Sequence, residues 1–260
     1  MGLLWNRTKL PINYWRDDRC AKAFWSQYEM PAYKELLADT TDWVDPKAGE
    51  RWIDLGCGSG RLSRALWTKS EGQLAEVIGL DVAALNAESY EKLRRTLQPL
   101  PGERLRFEQV DFSAGLPWKE SNLFNGAVSG LAIQYAENWA DRDNRWTSDS
   151  YDSLLRDVHR VLKPGGRFVF SVNVPEPSWG RVALNAMTGV FSSKRKVRYL
   201  LKLWGMWSYG GWLKREARKG RFHYLPADVV TAKLIHSGFV DVEHRLSFAK
   251  QAYLFRCKKR

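Results

Sequence analysis

The 260-residue sequence predicts an α/β fold in which a mostly parallel sheet is covered by helices on both faces. From about residue 50 onward, strand-like hydrophobic patterns alternate with helix-like ones. A glycine-rich turn joins the first strand to the helix that follows it. Later, Lys163-Pro164-Gly165-Gly166 places a cation and then helix-breaking residues between a helix and a strong strand. Together these observations indicate repeated strand–helix–strand units.

The predicted elements follow one another along the chain. The strands are Arg51–Leu55, Ala75–Leu80, Leu105–Val110, Ala127–Ser129 (entered through Phe124 and Asn125), Phe168–Val174, Val240–Arg245 and Ala252–Arg256. The helices are Arg61–Thr68, Ala84–Leu97, Ser150–Leu162 and Ala227–Ser237. We expect one domain at 50–260, interrupted by a basic, aromatic, helical insertion at 178–226. An N-terminal helical cap segment, 1–49, is rich in aromatic residues and is expected to help cover a ligand.

The composition is that of a globular protein, with 44% hydrophobic and 27% charged residues. No run approaches the roughly 18 apolar residues that a membrane-spanning helix requires. Met1–Leu10 lacks the apolar stretch of a secretory signal. Cys20, Cys57 and Cys257 are too few and too far apart for a disulfide framework or a cysteine-built zinc site. We therefore expect a cytoplasmic protein without a bound metal.

The charge balance is unusual. There are 41 Lys and Arg against 29 Asp and Glu, a formal net charge of +12, and 13 tryptophans. A basic protein of this kind favours an acidic partner, either a nucleic acid or an anionic membrane surface.

The most informative stretch is Trp52-Ile53-Asp54-Leu55-Gly56-Cys57-Gly58-Ser59-Gly60-Arg61-Leu62. A P-loop would end in Gly-Lys-Ser/Thr, and a dinucleotide fingerprint would need glycine where Arg61 stands. The carboxylate of Asp54, just before the first glycine, suits a cationic ligand better than a pyrophosphate. Asp81 follows the second strand, where an acid can accept hydrogen bonds from both hydroxyls of a ribose.

At these residues the chain resembles the class I S-adenosylmethionine-dependent methyltransferases. The resemblance rests on four motifs in order: Ile53 to Gly60, Gly79-Leu80-Asp81, Val110-Asp111-Phe112 and Arg160 to Gly166. It covers about residues 50–175 closely. It implies a Rossmann-like, seven-stranded sheet with helices on both faces, a helical cap and an antiparallel last strand. One departure is Asn125, where relatives often have Asp, and we expect this position to support the fourth strand.

The resemblance also implies the residues that hold S-adenosylmethionine and its product S-adenosylhomocysteine. Asp54 is expected near the methionine ammonium, Asp81 on the ribose and Asp111 on the adenine amino group. Leu131 to Tyr135 is expected to face the sulfonium and the substrate. The full set of implied cofactor-binding residues is Asp54, Gly56, Cys57, Gly58, Gly60, Asp81, Val82, Asp111, Phe112 and Leu131.

No catalytic base can be named from the sequence. Tyr135 follows the fourth strand, where the substrate is expected to approach, and His223 and Tyr224 lie at the exit of the insertion. Each is a candidate, with a purely structural role as the alternative. The chain has Ser129-Gly130-Leu131-Ala132 where adenine and glutamine N-methyltransferases carry Asn/Asp-Pro-Pro-Tyr/Phe, which counts against those activities.

The insertion is the main indication of the substrate. Its part Phe191–Tyr224 holds ten Lys or Arg, one Glu and eight aromatic residues. An apolar and a basic helical face are formed by Val197, Leu200, Leu201 and Trp204, and by Arg195, Arg198 and Lys202. Three interpretations stay open: a cap helix with solvated charges, a helix on an anionic membrane, or an RNA-binding surface.

The first functional hypothesis is a methyltransferase acting at carbon or oxygen of a small or lipid-like, ring-containing acceptor. It is similar to the group that includes the ubiquinone/menaquinone C-methyltransferases (methyltransferase type 11). In this hypothesis the partners are the small substrate and, peripherally, the anionic inner face of a membrane. The second hypothesis is an RNA or protein methyltransferase that docks its polymer through the insertion. The third is a non-catalytic S-adenosylmethionine-binding module.

Overall fold

The computed structural model describes residues 13–16, 30–97, 104–178, 180–182 and 210–260. Its main strands are β1 (Arg51–Leu55), β2 (Glu76–Asp81), β3 (Leu105–Gln109), β4 (Phe124–Gly130), β5 (Leu162–Asn173), β6 (Phe239–Ser247) and β7 (Ala252–Lys259). The helices are α1 (Pro31–Trp43), α2 (Arg61–Lys69), α3 (Asn86–Leu97), α4 (Asp149–Val161), α5 (described over 210–218) and α6 (Ala227–His236). Single 3-10 turns lie at Tyr14–Arg16, Phe112–Ala114 and Ile133–Tyr135, and a small hairpin pairs Trp139–Ala140 with Arg145–Trp146.

The main sheet has seven strands in the order β3-β2-β1-β4-β5-β7-β6. Strands β1 to β5 pair in parallel, and β7 is antiparallel to both β5 and β6. The predicted mostly parallel sheet with an antiparallel last strand is therefore confirmed. Since parallel neighbours run in the same direction, β1, β2 and β4 end at the same edge of the sheet.

Helices cover both faces of the sheet because each has an apolar stripe to bury. On one face, α4 contributes Tyr151, Leu154, Leu155, Val158 and Val161 to a large core, to which α6 adds Val230 and Leu234. On the other face, α2 and α3 bury Leu66, Trp67, Tyr90 and Leu93 against β1 and β2. Helix α1 packs in a third cluster with Leu131 and Phe248, beside the ends of the strands that hold the site.

Two strands begin three or more residues before their predicted starts, and the other bounds differ by at most three residues. Strand β4 begins at Phe124 rather than Ala127, because it pairs with β5 from Phe124 onward. Strand β5 begins at Leu162, directly after α4, so Lys163-Pro164-Gly165-Gly166 lies within a strand instead of separating helix from strand. These residues form an irregularity, since Phe124 pairs with Leu162 but Gly126 pairs with Arg167. The sheet accommodates these turn-forming residues as a β-bulge, so they do not end the strand.

Only parts of the N-terminal segment and of the insertion are described. In the N-terminal segment the structure shows the turn Tyr14–Arg16 and α1. In the insertion, residues 180–182 and 210–218 are helical. The predicted amphipathic faces at 195–204 lie outside the described residues. Within the described part of the chain, no helix is long and apolar enough to cross a membrane.

Candidate active site

Two cavities open where β1, β2 and β4 end. The strand order reverses between β1 and β4, because β1 is followed outward by β2 and β3, whereas β4 is followed by β5. In open α/β sheets, ligands bind at such a point beyond the carboxyl ends of the strands. Gly56, after β1, and Gly130, at the end of β4, line both cavities. The two cavities therefore flank one loop, Gly56–Gly60, which we call the glycine loop.

The first cavity is a cleft of about 660 Å³ with its solvent-open mouth included. Among the residues expected at the site, it brings together Gly56, Gly58, Asp81, Val82, Asp111, Phe112, Leu131 and Tyr135. Asn13, Trp15, Asn86 and Ala132 also line it. The second cavity, about 520 Å³, lies between the glycine loop and α1. Asp54 and Cys57 line it, opposite Tyr33, Leu36, Leu37 and Thr40.

The glycine loop has no room for side chains at two positions. Gly56 has φ +69°, and a Cβ there would lie 2.2 Å from the Cβ of Ala132. Gly60, which begins α2, has φ +79°, and a Cβ would lie 2.6 Å from a methyl carbon of Leu93. Both positions lie in the left-handed region that favours glycine. Gly56 thus keeps the cavity floor open, whereas Gly60 lets α3 pack close to the loop.

Asp54 is a buried carboxylate with one oxygen unused. Its Oδ2 accepts hydrogen bonds from the backbone N–H of Ser63 at 3.0 Å and from the Ser63 hydroxyl at 2.7 Å. Its Oδ1 is buried and has no hydrogen-bond partner among the described residues. Burial raises the pKa of Asp54 to about 7, against the lowering effect of the Ser63 hydrogen bonds. A buried, unsatisfied carboxylate oxygen is costly unless a ligand pairs with it, and a cationic group suits it.

Asp81 fixes the loop from the end of β2. Its Oδ2 accepts a hydrogen bond from the backbone N–H of Gly58 at 2.9 Å, and its Oδ1 accepts one from that of Ala83 at 2.9 Å. Burial raises the pKa of Asp81, opposed by these backbone hydrogen bonds. The Asn86 side chain and the Val82 backbone also hydrogen-bond to this carboxylate, whose two oxygens offer about four acceptor positions in all.

Asp111 connects the first cavity to the N-terminal segment. Its Oδ1 accepts hydrogen bonds from the Asn13 side chain at 2.9 Å and from the backbone N–H of Ser113 at 3.1 Å. Arg16 donates to its Oδ2 at 3.2 Å. Asn13 is itself fixed, because its Oδ1 accepts from the backbone N–H of Trp15 at 3.1 Å. The turn Tyr14–Arg16 is therefore held against one wall of the cavity.

Tyr135 lines the first cavity and also belongs to an aromatic cluster. We define this aromatic cluster as Trp15, Tyr135, Trp212, Phe222 and Tyr224. The ring centroid of Tyr135 lies 4.6 Å from that of Trp15 and 4.9 Å from that of Phe222. The Tyr135 and Tyr224 hydroxyls are 3.0 Å apart. Burial raises the pKa of Tyr135 to about 12 and that of Tyr224 well above its usual value. Both are neutral at physiological pH.

His223 is turned away from this arrangement. It is buried, its Nε2 lies 2.9 Å from the carbonyl oxygen of Ala136, and its ring packs on Tyr151 at 4.9 Å. It lines neither cavity. Burial lowers the pKa of His223. The structure thus brings Tyr135 and Tyr224 together and leaves His223 in a packing position.

A buried ion pair holds the exit of the insertion against the turn after β4. Arg221 Nε lies 2.8 Å from Glu137 Oε2, and the two side chains are only 6% and 5% exposed. Arg221 also lies 3.4 Å from Glu216 and 4.9 Å from the Trp146 ring centroid. Burial raises the pKa of Glu137, although Arg221 opposes this. Because Arg221 directly precedes Phe222, this pair fixes the part of the chain that carries Phe222 and Tyr224.

Similarity to known proteins identifies the family of this chain. The model of a methyltransferase domain matches residues 46–188, which is more than half of the chain. The chain belongs to this methyltransferase family. It is a class I S-adenosylmethionine-dependent methyltransferase, as the resemblance of its motifs implied.

Its relatives act on different substrates. The methyltransferase is 28% identical to a demethylmenaquinone methyltransferase of Oceanobacillus iheyensis over 141 residues, 53% of this chain and 50% of the relative. It is 28% identical to ribosomal RNA small subunit methyltransferase C of Chromohalobacter salexigens over 165 residues, 62% of this chain and 44% of the relative. The chain spans a quarter to about half of the length of the curated relatives it matches first.

Solved structures share the fold. An S-adenosylmethionine-dependent methyltransferase of Mesorhizobium loti is 22% identical with a TM-score of 0.53, covering 85% of this chain and 96% of that one. A phosphoethanolamine N-methyltransferase of Haemonchus contortus, solved with S-adenosylhomocysteine, is 16% identical with a TM-score of 0.58, covering 93% and 57%. At these identities the likeness concerns the fold of the methyltransferase alone.

The two cavities fit the donor that this family uses. The unsatisfied Oδ1 of Asp54 suits the ammonium of a methionine moiety, and the missing Cβ of Gly56 leaves room at the junction of the cavities. Sequence reasoning missed Asn13 and Asn86, which line the first cavity, since neither lies in a motif. Within the described residues of the methyltransferase, no group of three or more His, Cys, Asp or Glu is arranged to hold a metal.

Proposed function

We propose that the methionine end of S-adenosylmethionine occupies the second cavity and its adenosine the first. Asp54 Oδ1 pairs with the ammonium, and the Gly56–Gly60 backbone lies along the methionine chain. Support comes from the position of Asp54 in the second cavity and from its unused oxygen. Cys57 is a small, buried side chain that fills the loop beside Asp54.

The adenosine is held by residues after β2 and β3. Asp81 accepts the ribose hydroxyls, Val82 and Phe112 pack on the adenine, and Asp111 accepts its amino group. Leu131 closes the cavity near the sulfur. Their common location on the lining of the first cavity supports this set.

The donor supplies a methyl group bound to a positively charged sulfur atom. The protein's own contribution is positioning of the two reactants and exclusion of water. Neither Tyr135 nor Tyr224 is ionised at neutral pH, because burial raises both pKa values. They are therefore hydrogen-bonding groups rather than bases.

The acceptor is a small or lipid-like, ring-containing molecule, methylated at carbon or oxygen. One observation carries this proposal: Tyr135 lines the donor cavity and at the same time belongs to the aromatic cluster. Two rings of this cluster, Trp15 and Tyr135, line the first cavity, and aromatic side chains next to the methyl donor favour an apolar acceptor, since they give large contact areas. Relatives named as demethylmenaquinone methyltransferases agree with an acceptor of this class.

The acceptor class is tested with donor carrying a labelled methyl group. Purified protein and an extract of the source cells are incubated with it, and the organic phase, RNA and protein are separated. We expect label in the organic phase. Label in RNA or protein would overturn the small-acceptor proposal. Absence of label from all fractions, with S-adenosylhomocysteine still bound, would favour a non-catalytic binding module.

The donor site is tested with Asp81→Asn. An amide cannot accept hydrogen bonds with both terminal atoms, so one of the contacts to Gly58 and Ala83 is lost together with one to the ribose. We expect the Kd for S-adenosylhomocysteine, measured by calorimetry, to rise about tenfold or more, as for loss of a charged hydrogen bond. Asp241→Asn, an exposed position paired with Lys258, is the matched control. An unchanged Kd in Asp81→Asn would contradict the site.

A second candidate function is methylation of RNA. It is favoured by the net charge of +12 and by relatives named as ribosomal RNA methyltransferases. In the described part of the insertion, Arg215, Arg218 and Lys219 are exposed. RNA binding through such cations weakens steeply with salt. Retention of labelled RNA at 50 mM but not at 300 mM salt would support this candidate, and no retention at either concentration would exclude it.

A further inference from the structure

We infer that Arg61 binds the α-carboxylate of the donor's methionine moiety, so that the second cavity pairs with both charges of an α-amino acid. The inference rests on the proposed function, because it names a partner for the donor group that the proposed function leaves without an opposite charge. Arg61 directly follows the last glycine of the motif Ile53 to Gly60. It is therefore outside the set of residues that the family resemblance implies.

The charges on the cavity walls lead to this role. Of the described residues that line the second cavity, only Asp54 and Arg61 carry a charge, one of each sign. The charged residues that line the first cavity are Asp81 and Asp111, both acids. Arg61 is therefore the one cation among the described residues of the two cavities. The carboxylate is the only anionic group of S-adenosylmethionine, and an anion that leaves water without an opposite charge is unfavourable.

Arg61 and Asp54 lie on either side of the glycine loop in the sequence, and the fold brings them together. Helix α2 begins at Arg61, and Ser63 in its first turn donates to Asp54 Oδ2 from its backbone N–H at 3.0 Å and from its hydroxyl at 2.7 Å. Asp54 therefore lies beside the first turn of the helix that Arg61 begins. The ammonium and the carboxylate of an amino acid are attached to one carbon atom, so their partners must be neighbours in this way.

The start of α2 attracts an anion through its backbone as well. The helix has nine residues, and its first two, Arg61 and Leu62, line the second cavity. The first N–H groups of a helix have no partner within the helix and carry a partial positive charge. Asp54 is an independent indication that a ligand binds here. It lines the same cavity, it is 1% exposed, and its Oδ1 has no hydrogen-bond partner among the described residues.

Arg61 lies at the outer end of the second cavity. A third cleft adjoins this cavity at Leu37 and Arg61, which line both. Arg61 is exposed, whereas Asp54 is buried. The ammonium is therefore held in the interior and the carboxylate at the rim. An ion pair at such a rim contributes less to affinity than a buried one, because water screens it.

The test compares ligands that lack one of the two charges or both. S-adenosylhomocysteine carries the ammonium and the carboxylate, its decarboxylated analogue carries only the ammonium, and methylthioadenosine carries neither. The Kd of each is measured by calorimetry for wild type and for Arg61→Met. We expect the Kd for S-adenosylhomocysteine to rise about five- to tenfold in the variant, as for loss of a charged hydrogen bond near the surface. The Kd values of the other two ligands should not change.

Arg64→Met is the matched control. Arg64 lies one turn further along α2 and lines the third cleft but not the second cavity, so this variant should leave all three Kd values unchanged. Arg61→Lys keeps the charge and should restore most of the affinity for S-adenosylhomocysteine. Equal weakening of all three ligands in Arg61→Met would mean that Arg61 only supports the loop, and the inference would be overturned.

The inference and the proposed function fail in different ways. If the wild type binds methylthioadenosine as tightly as S-adenosylhomocysteine, the amino acid end is not held. The placement of the methionine moiety in the second cavity is then contradicted, and the inference with it. If the wild type prefers S-adenosylhomocysteine to its decarboxylated analogue and Arg61→Met keeps that preference, the donor site stands and the role of Arg61 is wrong.

Discussion

The donor side and the acceptor side of the site are built differently. On the donor side, Asp54, Asp81 and Asp111 lie at or just after the ends of strands of one parallel sheet, and each accepts a hydrogen bond from a backbone N–H group, of Ser63, Gly58 and Ser113 respectively. On the acceptor side, the aromatic cluster is assembled from segments far apart in the chain, such as Tyr135 and Tyr224, separated by 89 residues. The register of the strands therefore sets the positions of the donor-side residues. Packing of side chains sets the positions of the acceptor-side residues.

This difference predicts that the two sides can be separated by substitution. Changes in the glycine loop should act on donor affinity, whereas changes around the aromatic cluster should act on stability and on the acceptor. The expected effects range from loss of several kcal/mol to shifts of a few fold.

The largest expected effect is on the acceptor side, for Arg221→Met. Removing this guanidinium leaves the 5%-exposed Glu137 without its 2.8 Å partner and Glu216 without its 3.4 Å partner. Breaking a buried ion pair from one side costs about 3–5 kcal/mol. We expect a loss of this size in the free energy of unfolding in urea. S-adenosylhomocysteine should still bind to the folded protein.

Two controls accompany this substitution. The double variant Arg221→Met with Glu137→Leu replaces both charges by apolar groups and should recover most of the loss, because no uncompensated charge is left. Arg218→Met, whose side chain is 62% exposed, should change stability little. A loss below about 1 kcal/mol in Arg221→Met would mean that the pair is not shielded from water.

The next effect is on the donor side, for Gly56→Ala. A Cβ at this position would lie 2.2 Å from that of Ala132, on a backbone with φ +69°. The loop or the turn after β4 must move; the loop lines both cavities, and the turn lines the first. We expect the Kd for S-adenosylhomocysteine to rise more than about 100-fold, since misplacement of about 1 Å has effects of this size.

Gly165→Ala is its matched control. Gly165 also has a positive φ, +75°, but no atom lies within 4 Å of the added Cβ. The strain of the backbone is therefore similar and the clash is missing. Calorimetry on both variants separates the two causes. Equal losses of affinity would show that strain, not the filled space, weakens binding.

The same contrast explains what the sequence can and cannot predict. The order of strands and helices was predicted, and Asp54, Asp81 and Asp111 were named because each lies at or just after the end of a strand within a short motif. Strand β5 was predicted too short, because Pro164 and the glycines after it were interpreted as a break, whereas the pairing of Leu162 with Phe124 extends the strand. Pairing with the neighbouring strand β4 therefore outweighs the preference of Pro164 and these glycines for a turn.

Packing contacts between distant residues were beyond the sequence. Tyr135 and Tyr224 were candidates separately, but nothing in their spacing predicts that their hydroxyls meet. Asn13 lies 98 residues from the Asp111 side chain that it binds. Such contacts depend on the tertiary fold, and no local periodicity encodes them.

A moderate effect is expected from pH on the donor side. Burial raises the pKa of Asp54 to about 7, and only the ionised carboxylate attracts an ammonium. The affinity for S-adenosylhomocysteine should therefore rise with pH by up to tenfold per unit below pH 7 and level off above it. Calorimetry between pH 5.5 and 8 measures this profile.

Asp54→Asn is the variant that sharpens the pH prediction. The amide does not titrate, so its Kd should be higher than that of wild type and should lose the dependence centred near pH 7. If the wild-type profile persists in Asp54→Asn, another group, such as the buried Asp81, is responsible for it.

The smallest effect concerns the N-terminal turn, which borders both sides of the site. Arg16 reaches Asp111 at 3.2 Å, but its side chain is 53% exposed, and exposed ion pairs contribute about 0.2–1 kcal/mol. Arg16→Ala should weaken S-adenosylhomocysteine binding by no more than about fivefold, and the difference should shrink in 500 mM salt, where the pair is screened. Arg145→Ala removes an exposed partner of Asp143 and should leave the Kd unchanged. Tighter binding in Arg16→Ala would instead mean that Arg16 competes with the adenine for Asp111, and the turn would then oppose donor binding rather than close over it.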